Sequence, residues 1–348
     1  MEAIESHCAT TQQPVQQILV HTGQHYTPEL SKLLFDDLGL PVPDINLNIG
    51  SGSHGAQTGK VMIAFEEVLV EQKPDVMVVV GDVNSTIACA LDAVKLGVPV
   101  AHVEAGLRSF DRQMPEEINR ILTDQISDWL FTTEEGARDH LLREGIAEDK
   151  IHFVGNVMID TLLIHREKAM QSPVLGNIGH QPGSYAVATL HRPSNVDDPC
   201  NLKKLVNLLI RVSQEVPLVW PVHPRTRQKL DSAGLMACLE PAAITLMEPQ
   251  GYLDSMCLTA NARVVLTDSG GVQEETTILR VPCITMRENT ERPVTIHQGT
   301  NVLAGTDPDA VWDAFLNHPA YDGEDIEPPR YWDGQAGARI AQILMNEC

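Results

Sequence analysis

The stretch "ARVVLTDSGGVQEE" (residues 262–275) changes its periodicity half-way, and that change sets the fold class. Val264, Val265 and Leu266 form an unbroken apolar run, the pattern of a strand covered on both faces. Beyond Ser269, Gly270 and Gly271 the spacing becomes Val272, Thr276 and Leu279, which is helical. The two glycines therefore open a helix directly after a buried strand. Free N–H groups and the dipole at such a helix start favour an anion. A tight turn that needs flexible residues explains the same pair.

Working outward, the same alternation fills the chain. "QILVHTG" precedes "TPELSKLLFDDLG", "PDVMVVVGD" precedes "STIACALDAVKLG", and "PVAHVEAG" precedes "PEEINRILTDQISD". "WLFTTE", "IHFVGN", "YAVATL", "PLVWPVH" and "PCITMRE" read as further strands. Such alternation predicts an α/β protein of two doubly wound, Rossmann-like parallel sheets with a cleft between them. Residues 172–184, "SPVLGNIGHQPGS", lack periodicity and are the best linker candidate. We place the domains at 1–168 and 169–332.

At 348 residues the chain suits two domains, and 43% hydrophobic residues are enough for a sizeable core. The net charge of −22 argues against a nucleic-acid partner, since phosphate binding needs a basic face. Cysteines at 8, 89, 200, 238, 257, 283 and 348 form no CxxC pair and are odd in number, which suits a reducing cytosol. The start "MEAIESHCATTQQ" lacks the layout of a signal peptide, and no apolar run is long enough for a bilayer. We expect a cytoplasmic protein with no membrane partner.

Open α/β sheets bind ligands at strand carboxyl ends, and five polar turns fall there. They are "GDVNST" (81–86), "HVEAGLRS" (102–109), "LHRPSN" (190–195), "PVHPRTR" (221–227) and "DSGG" (268–271). Asp82 tops a buried strand, while Asn84 and Ser85 are better placed to cap the helix that follows. Glu104 ends "VAHVE"; a charge there is paired or functional because burying it alone is costly, and Arg108 and Arg120 are the candidate partners. In "MPEEINR" a helix starts at Pro115, and its dipole explains Glu117. For Glu116 a structural and a catalytic reading stand level. His191 and His223, with Arg192, Arg225 and Arg227 beside them, suit a basic pocket for a diphosphate. Glu275 suits either ribose hydroxyls or solvent.

Cofactor signals are weak. Gly50, Gly52 and Gly55 spell GxGxxG but lack a convincing strand before them, so a loop leading into a helix is the better reading. "GAQTGK" is one residue short of a P-loop. His21 and His25 straddle a strand end, which is not the helical spacing of metal ligands. We expect no cofactor and no metal.

"VHTGQHY", "GDVNST", "HVEAGLRSFDRQMPEEINR", "VGNVMIDTL", "TLHRPSN", "PVHPRTR", "LTDSGGVQEE" and "RENTERP" occur in this order. Together they resemble the non-hydrolysing UDP-N-acetylglucosamine 2-epimerases, from about Ile18 to the C-terminal "DGQAGARIAQIL". The resemblance implies the two-domain glycosyltransferase-B architecture, a homodimer, and a last helix (333–348) that returns to the first domain. It implies conversion of UDP-GlcNAc to UDP-ManNAc by loss and re-addition of UDP, supplying cell-surface polysaccharide. Asp82, Glu104, Glu116 and His191 would be catalytic. Gln250, Ser269, Gly270, Gly271, Glu275 and Arg292 would hold the substrate, with a phosphate on "SGG". Second sugar-nucleotide contacts would fall on Gln24, His25, Lys60, Arg192 and His223.

Two departures qualify the match. The family's opening strand and "GTRP" loop do not precede "MEAIESH", which leads us to expect weak or absent activity. Ser194 stands where the family often has Glu, and Ser255 where it has an aromatic that stacks on uracil. The competing readings are a UDP-sugar binding protein without activity, a glycosyltransferase, and an epimerase for a diacetamido-uronate.

Overall fold

The computed structural model describes residues 1–23, 35, 37–318 and 327–347. The chain divides into two compact units, Met1–Thr161 with Arg330–Cys348, and Leu162–Pro329. The first division falls inside the helix Val157–Ala169. It does not fall in the Gly- and Pro-rich stretch expected to be a linker. Residues 172–184 lie in the second unit, where Val174 is buried against Tyr185 and Leu258.

The first unit pairs β1 (Val20–His21) with β2 (Ile45–Asn46) in parallel. Its main sheet is parallel, in the order β3 (Met77–Val80), β4 (Val100–Ala105), β5 (Trp129–Thr132), β6 (Ile151–Phe153). Helices Asn84–Lys95 and Pro115–Ile126 carry the crossovers from β3 to β4 and from β4 to β5. Parallel neighbours need such crossovers, and each delivers the next turn to the same sheet edge. Ala101, Val103, Phe131 and Val154 form a core with Ile340 and Leu344 of the last helix, Ala336–Glu347. Asp160 fixes the start of that helix by accepting from Ala336 N (3.1 Å) and Gly337 N (2.7 Å).

The second unit holds β7 (Ala186–Thr189), β8 (Leu218–Pro221), β9 (Ile244–Met247), β10 (Val264–Thr267), β11 (Cys283–Thr285) and β12 (Asn301–Leu303). All are parallel, in the order β9-β8-β7-β10-β11-β12. Counted within this sheet, that is the doubly wound order 3-2-1-4-5-6. Both faces are covered: Ala186, Leu218, Trp220 and Leu266 pack on one side, and Val187, Val219 and Val265 on the other. Each fully buried Leu or Val contributes about 1.5–3 kcal/mol, so the sheet is the rigid part on which the turns are mounted. The chain order reverses between β7 and β10, and there the turns after both strands lie side by side.

The short strands β2, β9 and β12 were not among those expected. β9 is an edge strand with no fully buried residue, and β2 and β12 have two and three residues. Gly50 and Gly52 do precede a helix, His54–Gln72, from a loop.

Candidate functional site

At the reversal point in the second unit, the helix Gly270–Leu279 starts on the first glycine, after Ser269. Arg292 lies against this start: a Cβ on Gly270 would sit 2.6 Å from Arg292 Nη1. Gly270 is needed because the guanidinium occupies the space a side chain would fill. The loop that brings Arg292 is folded by a buried pair, Arg287 Nη2 to Glu291 Oε1 at 2.8 Å. Arg292 Nε in turn meets Glu274 Oε1 at 2.8 Å. The buried face of the helix is polar (Gln273, Glu274, Thr276, Thr277), whereas the expected stripe residues Val272 and Leu279 are only partly buried. Gln273 Oε1 accepts from Thr290 Oγ1 (2.7 Å) and Asn301 Nδ2 (3.2 Å), which explains a buried amide in that position.

Beside it, after β7, His191 Nδ1 donates to Asp268 Oδ1 at 3.0 Å. Asp268 is fully buried and also accepts from the N–H groups of His191 and Arg192 and from Asn195 Nδ2. Burial works to raise its pKa, but the His191 hydrogen bond and charge and the Asn195 amide hold it below the usual range. With Nδ1 fixed, Nε2 is the ring nitrogen left for a ligand. The His223 ring lies 5.8 Å from that of His191. Burial and the neighbouring His191 keep His223 below its ordinary pKa, and its Nδ1 accepts from Arg225 N at 3.2 Å. Arg225 does not join a basic pocket; its guanidinium goes to Asp197 (Nε–Oδ1 3.2 Å). Burial pushes the carboxyl of Glu275 up to about 7, helped by the like charge of Glu274.

In the first unit, Asp82 follows β3 and pairs with Arg120 Nη1. Asn119 Nδ2 holds the Asp82 carbonyl at 2.9 Å. Glu104 sits at φ +69° within β4, where the register shifts between Val103 and Ala105. A left-handed backbone is rare for a glutamate and marks positions held by their surroundings. A Cβ on Gly81 would lie 3.4 Å from Glu104 Oε2, so the Glu104 carboxyl reaches across to the residue before Asp82. Glu117 is buried and accepts from Ser109 N (3.0 Å), Phe110 N (2.9 Å) and Arg120 Nη2 (2.7 Å). Burial opposes its charge, yet these donors keep its pKa low. Its work is to hold Arg120 and the 109–110 loop, beyond the dipole role expected of it. Glu116 stands in the first turn of the helix Pro115–Ile126. Asn84 does not cap its helix: Val83 is the cap residue, and the Asn84 amide bonds Gln57 Oε1 at 2.8 Å.

The sequence profile of the UDP-N-acetylglucosamine 2-epimerase family matches residues 8–345. The chain belongs to this family. It is 46% identical to the UDP-N-acetylglucosamine 2-epimerase of Methanocaldococcus jannaschii, over 94% of this chain and 90% of that one. It is 43% identical to the UDP-2,3-diacetamido-2,3-dideoxy-D-glucuronate 2-epimerase of Pseudomonas aeruginosa, over 98% and 95%. Among solved structures, the M. jannaschii UDP-GlcNAc 2-epimerase in complex with UDP-GlcNAc and UDP superposes with a TM-score of 0.90. It shares 44% identity, covering 99% of this chain and 95% of that one. A trehalose 6-phosphate synthase from Burkholderia multivorans, 14% identical with a TM-score of 0.51, shares the fold alone. The architecture is glycosyltransferase-B-like, and the chain is an epimerase-family enzyme.

Against that membership, the structure brings His191, Ser269, Gly270, Gly271 and Arg292 to one sheet edge, with Glu275 one helical turn further on. Gln250 follows β9, away from the reversal point, and donates to Glu248 O at 2.6 Å. Asp82 and Glu104 lie at the β3–β4 edge, and Glu116 is in the first turn of the helix whose Asn119 and Arg120 bond Asp82. Lys60 is exposed on the helix His54–Gln72; Gln24 and His25 lie outside the described residues. Asp268, Glu274, Glu291, His102 and Asp124 were not singled out in the sequence. A charged residue inside an otherwise apolar strand, as in "VAHVE", was the available signal for His102. Among the described residues no group of three His, Cys, Asp or Glu is placed to hold a metal, and no helix is long and apolar enough to cross a membrane.

Proposed function

We propose that the chain inverts C2 of UDP-GlcNAc to give UDP-ManNAc, and that two sets of side chains divide the work. The second unit holds the UDP: a phosphate sits on the Ser269–Gly271 helix start with Arg292 and His191, and Glu275 takes the ribose. The first unit moves the proton. A carboxylate removes the weakly acidic C2 hydrogen as the C1–O bond to UDP breaks, leaving an unsaturated sugar. Returning a proton to the opposite face, as UDP adds back, completes the inversion. Fixed positive charge and N–H donors stabilise the departing diphosphate. Asp82, Glu104 and Glu116 are the proposed proton carriers. The observation that carries this reading is the pair of carboxylate residues at the ends of the neighbouring strands β3 and β4, Asp82 gripped by Arg120 and Glu104 set in left-handed backbone. Gln24, His25, Lys60, Arg192 and His223 would contact a second sugar nucleotide, the working form would be a homodimer, and the product would feed polysaccharide synthesis.

A second reading takes UDP-2,3-diacetamido-2,3-dideoxy-D-glucuronate as substrate, and the P. aeruginosa relative favours it with near-equal identity. Comparing kcat/KM for the two sugars separates the readings. For either, turnover in heavy water followed by NMR tests the chemistry: the C2 hydrogen must become deuterium. Product that keeps protium at C2 overturns the elimination route.

A further inference from the structure

Beneath the Asp82–Glu104 edge runs a buried chain of charges. His102, fully buried in β4, has Nδ1 2.7 Å from Asp124 Oδ1 and Nε2 2.9 Å from the carbonyl oxygen of Gly81. Both partners are acceptors, so both ring nitrogens carry hydrogen and the ring is an imidazolium. Asp124 Oδ2 also accepts from Gly106 N (3.1 Å) and Arg108 Nη2 (2.6 Å). Arg108 continues to Glu144, with Nε–Oε1 at 2.9 Å and Nη2–Oε2 at 2.6 Å. The charges on His102, Asp124, Arg108 and Glu144 alternate and cancel, which permits the burial of the first three, while Glu144 is partly exposed.

We propose that His102 is a positioning residue for proton transfer at C2, tying the helix Pro115–Ile126 to the Gly81 carbonyl and so setting where Asp82 and Glu104 present their carboxyls. The idea rests on the epimerase reading above. The Gly81 carbonyl belongs to the peptide plane that ends at the Asp82 nitrogen, so its hydrogen bond orients Asp82 directly. Gly81 itself is left-handed, at φ +68°. On the neighbouring strand, the Gly106 N–H bonded to Asp124 lies two residues beyond Glu104, whose φ of +69° needs restraint from outside the residue. One histidine–aspartate pair thus anchors the backbone beside both carboxylates. The charged groups around the ring are Asp124 from the helix, Arg108 from the turn after β4, Glu104 from its own strand, and Glu144 beyond Arg108. Burial disfavours the imidazolium, but the charge and hydrogen bond of Asp124 raise the pKa above the ordinary value.

Two amides divide the clamp. The amide of His102→Asn falls near Nδ1 and keeps the Asp124 bond while releasing Gly81. That of His102→Gln reaches towards Nε2 and keeps the Gly81 bond. We expect His102→Asn to lower kcat about 10–100-fold, the loss typical of a sub-ångström to 1 Å misplacement, with KM and UDP affinity unchanged. His102→Gln should recover much of that loss. In the parent chain with 15N-labelled histidine, NMR at pH 8 should show both ring N–H groups of His102. Equal loss in the two variants, a kcat within twofold in His102→Asn, or a single ring N–H at pH 8 each overturns the proposal. If neither variant folds, the parent spectrum decides. A parent chain that does not turn over UDP-GlcNAc removes the functional reading, while the spectrum still reports on the clamp.

Discussion

In the second unit, buried carboxylates hold basic side chains at the strand ends: Asp268 under His191, and Glu274 against Arg292. In the first, the signs are exchanged, and Arg120 holds Asp82. The exposures are parallel. The side chain of Asp268 is 0% exposed against 39% for His191, and Glu274 is 1% against 12% for Arg292. Arg120 is 3% exposed against 29% for Asp82. In each pair the group proposed to meet substrate is the open one, and its counter-ion is sealed. A buried charge is tolerated only when paired, so the sealed partner commits the open one to a single place. In a chain of net charge −22, the proposed diphosphate site would depend on local basic groups fixed by acids that water does not reach.

The hardest test of this division is removal of the open carboxylates. Asp82→Asn and Glu104→Gln should each lower turnover about 10²–10⁴-fold, the usual cost of a general acid or base, and leave UDP affinity by calorimetry unchanged. A matching loss of UDP affinity would break the comparison, because the first unit would then share the anchoring.

A smaller effect is expected on the other side. Arg292→Ala should weaken UDP by about 1.5–3 kcal/mol, the range for hydrogen bonds to a charged group. Gly270→Ala should give part of that loss, since its new Cβ would sit 2.6 Å from Arg292 Nη1 and push the guanidinium off its place. Parental UDP affinity in both variants would detach the anion from this helix.

The smallest effect sharpens the rule through its exception. Glu275 faces the like charge of Glu274 and a hydrogen bond from Tyr252, and its carboxyl is pushed up to about 7 from 4.5. The folded chain keeps this proton while the unfolded chain releases it near 4.5, so stability falls as pH rises from about 4.5 to about 7. Glu275→Gln removes that loss. Its melting temperature should exceed the parent's by a few degrees at pH 8 and match it near pH 4.5.

How much of this was legible depended on burial. β10 and the glycine helix start could be read because apolar runs and Gly pairs are local signals. β9 and β12 escaped because they are the two edge strands of their sheet and lack the unbroken buried run of β10. The open members of each ion pair, Asp82, His191 and Arg292, stood out as polar residues in strand-end turns or the "RENTERP" loop. Their sealed partners did not. Glu274 lies in sequence like a solvated helix acid, and Asp124 like any residue of "ILTDQISD". Only the meeting of β4 with the helix Pro115–Ile126 makes Asp124 the partner of His102, 22 residues earlier in the chain. Arg108, expected as a partner for Glu104, pairs with Asp124 and Glu144 for the same reason.

Glu104 also bears on how the chain would respond to selection. Left-handed backbone costs a non-glycine residue roughly 1–2 kcal/mol. Glycine would remove that cost, though it gives about 0.4–1 kcal/mol back to the freer unfolded chain. Heat resistance alone therefore offers little reason to keep glutamate at 104, whereas the proton-carrying role proposed for it offers a strong one. A library screened only for survival at high temperature should drift to glycine at this position and become a sturdier, idle protein. The same library screened for product should keep the glutamate and accept the strained backbone beneath it.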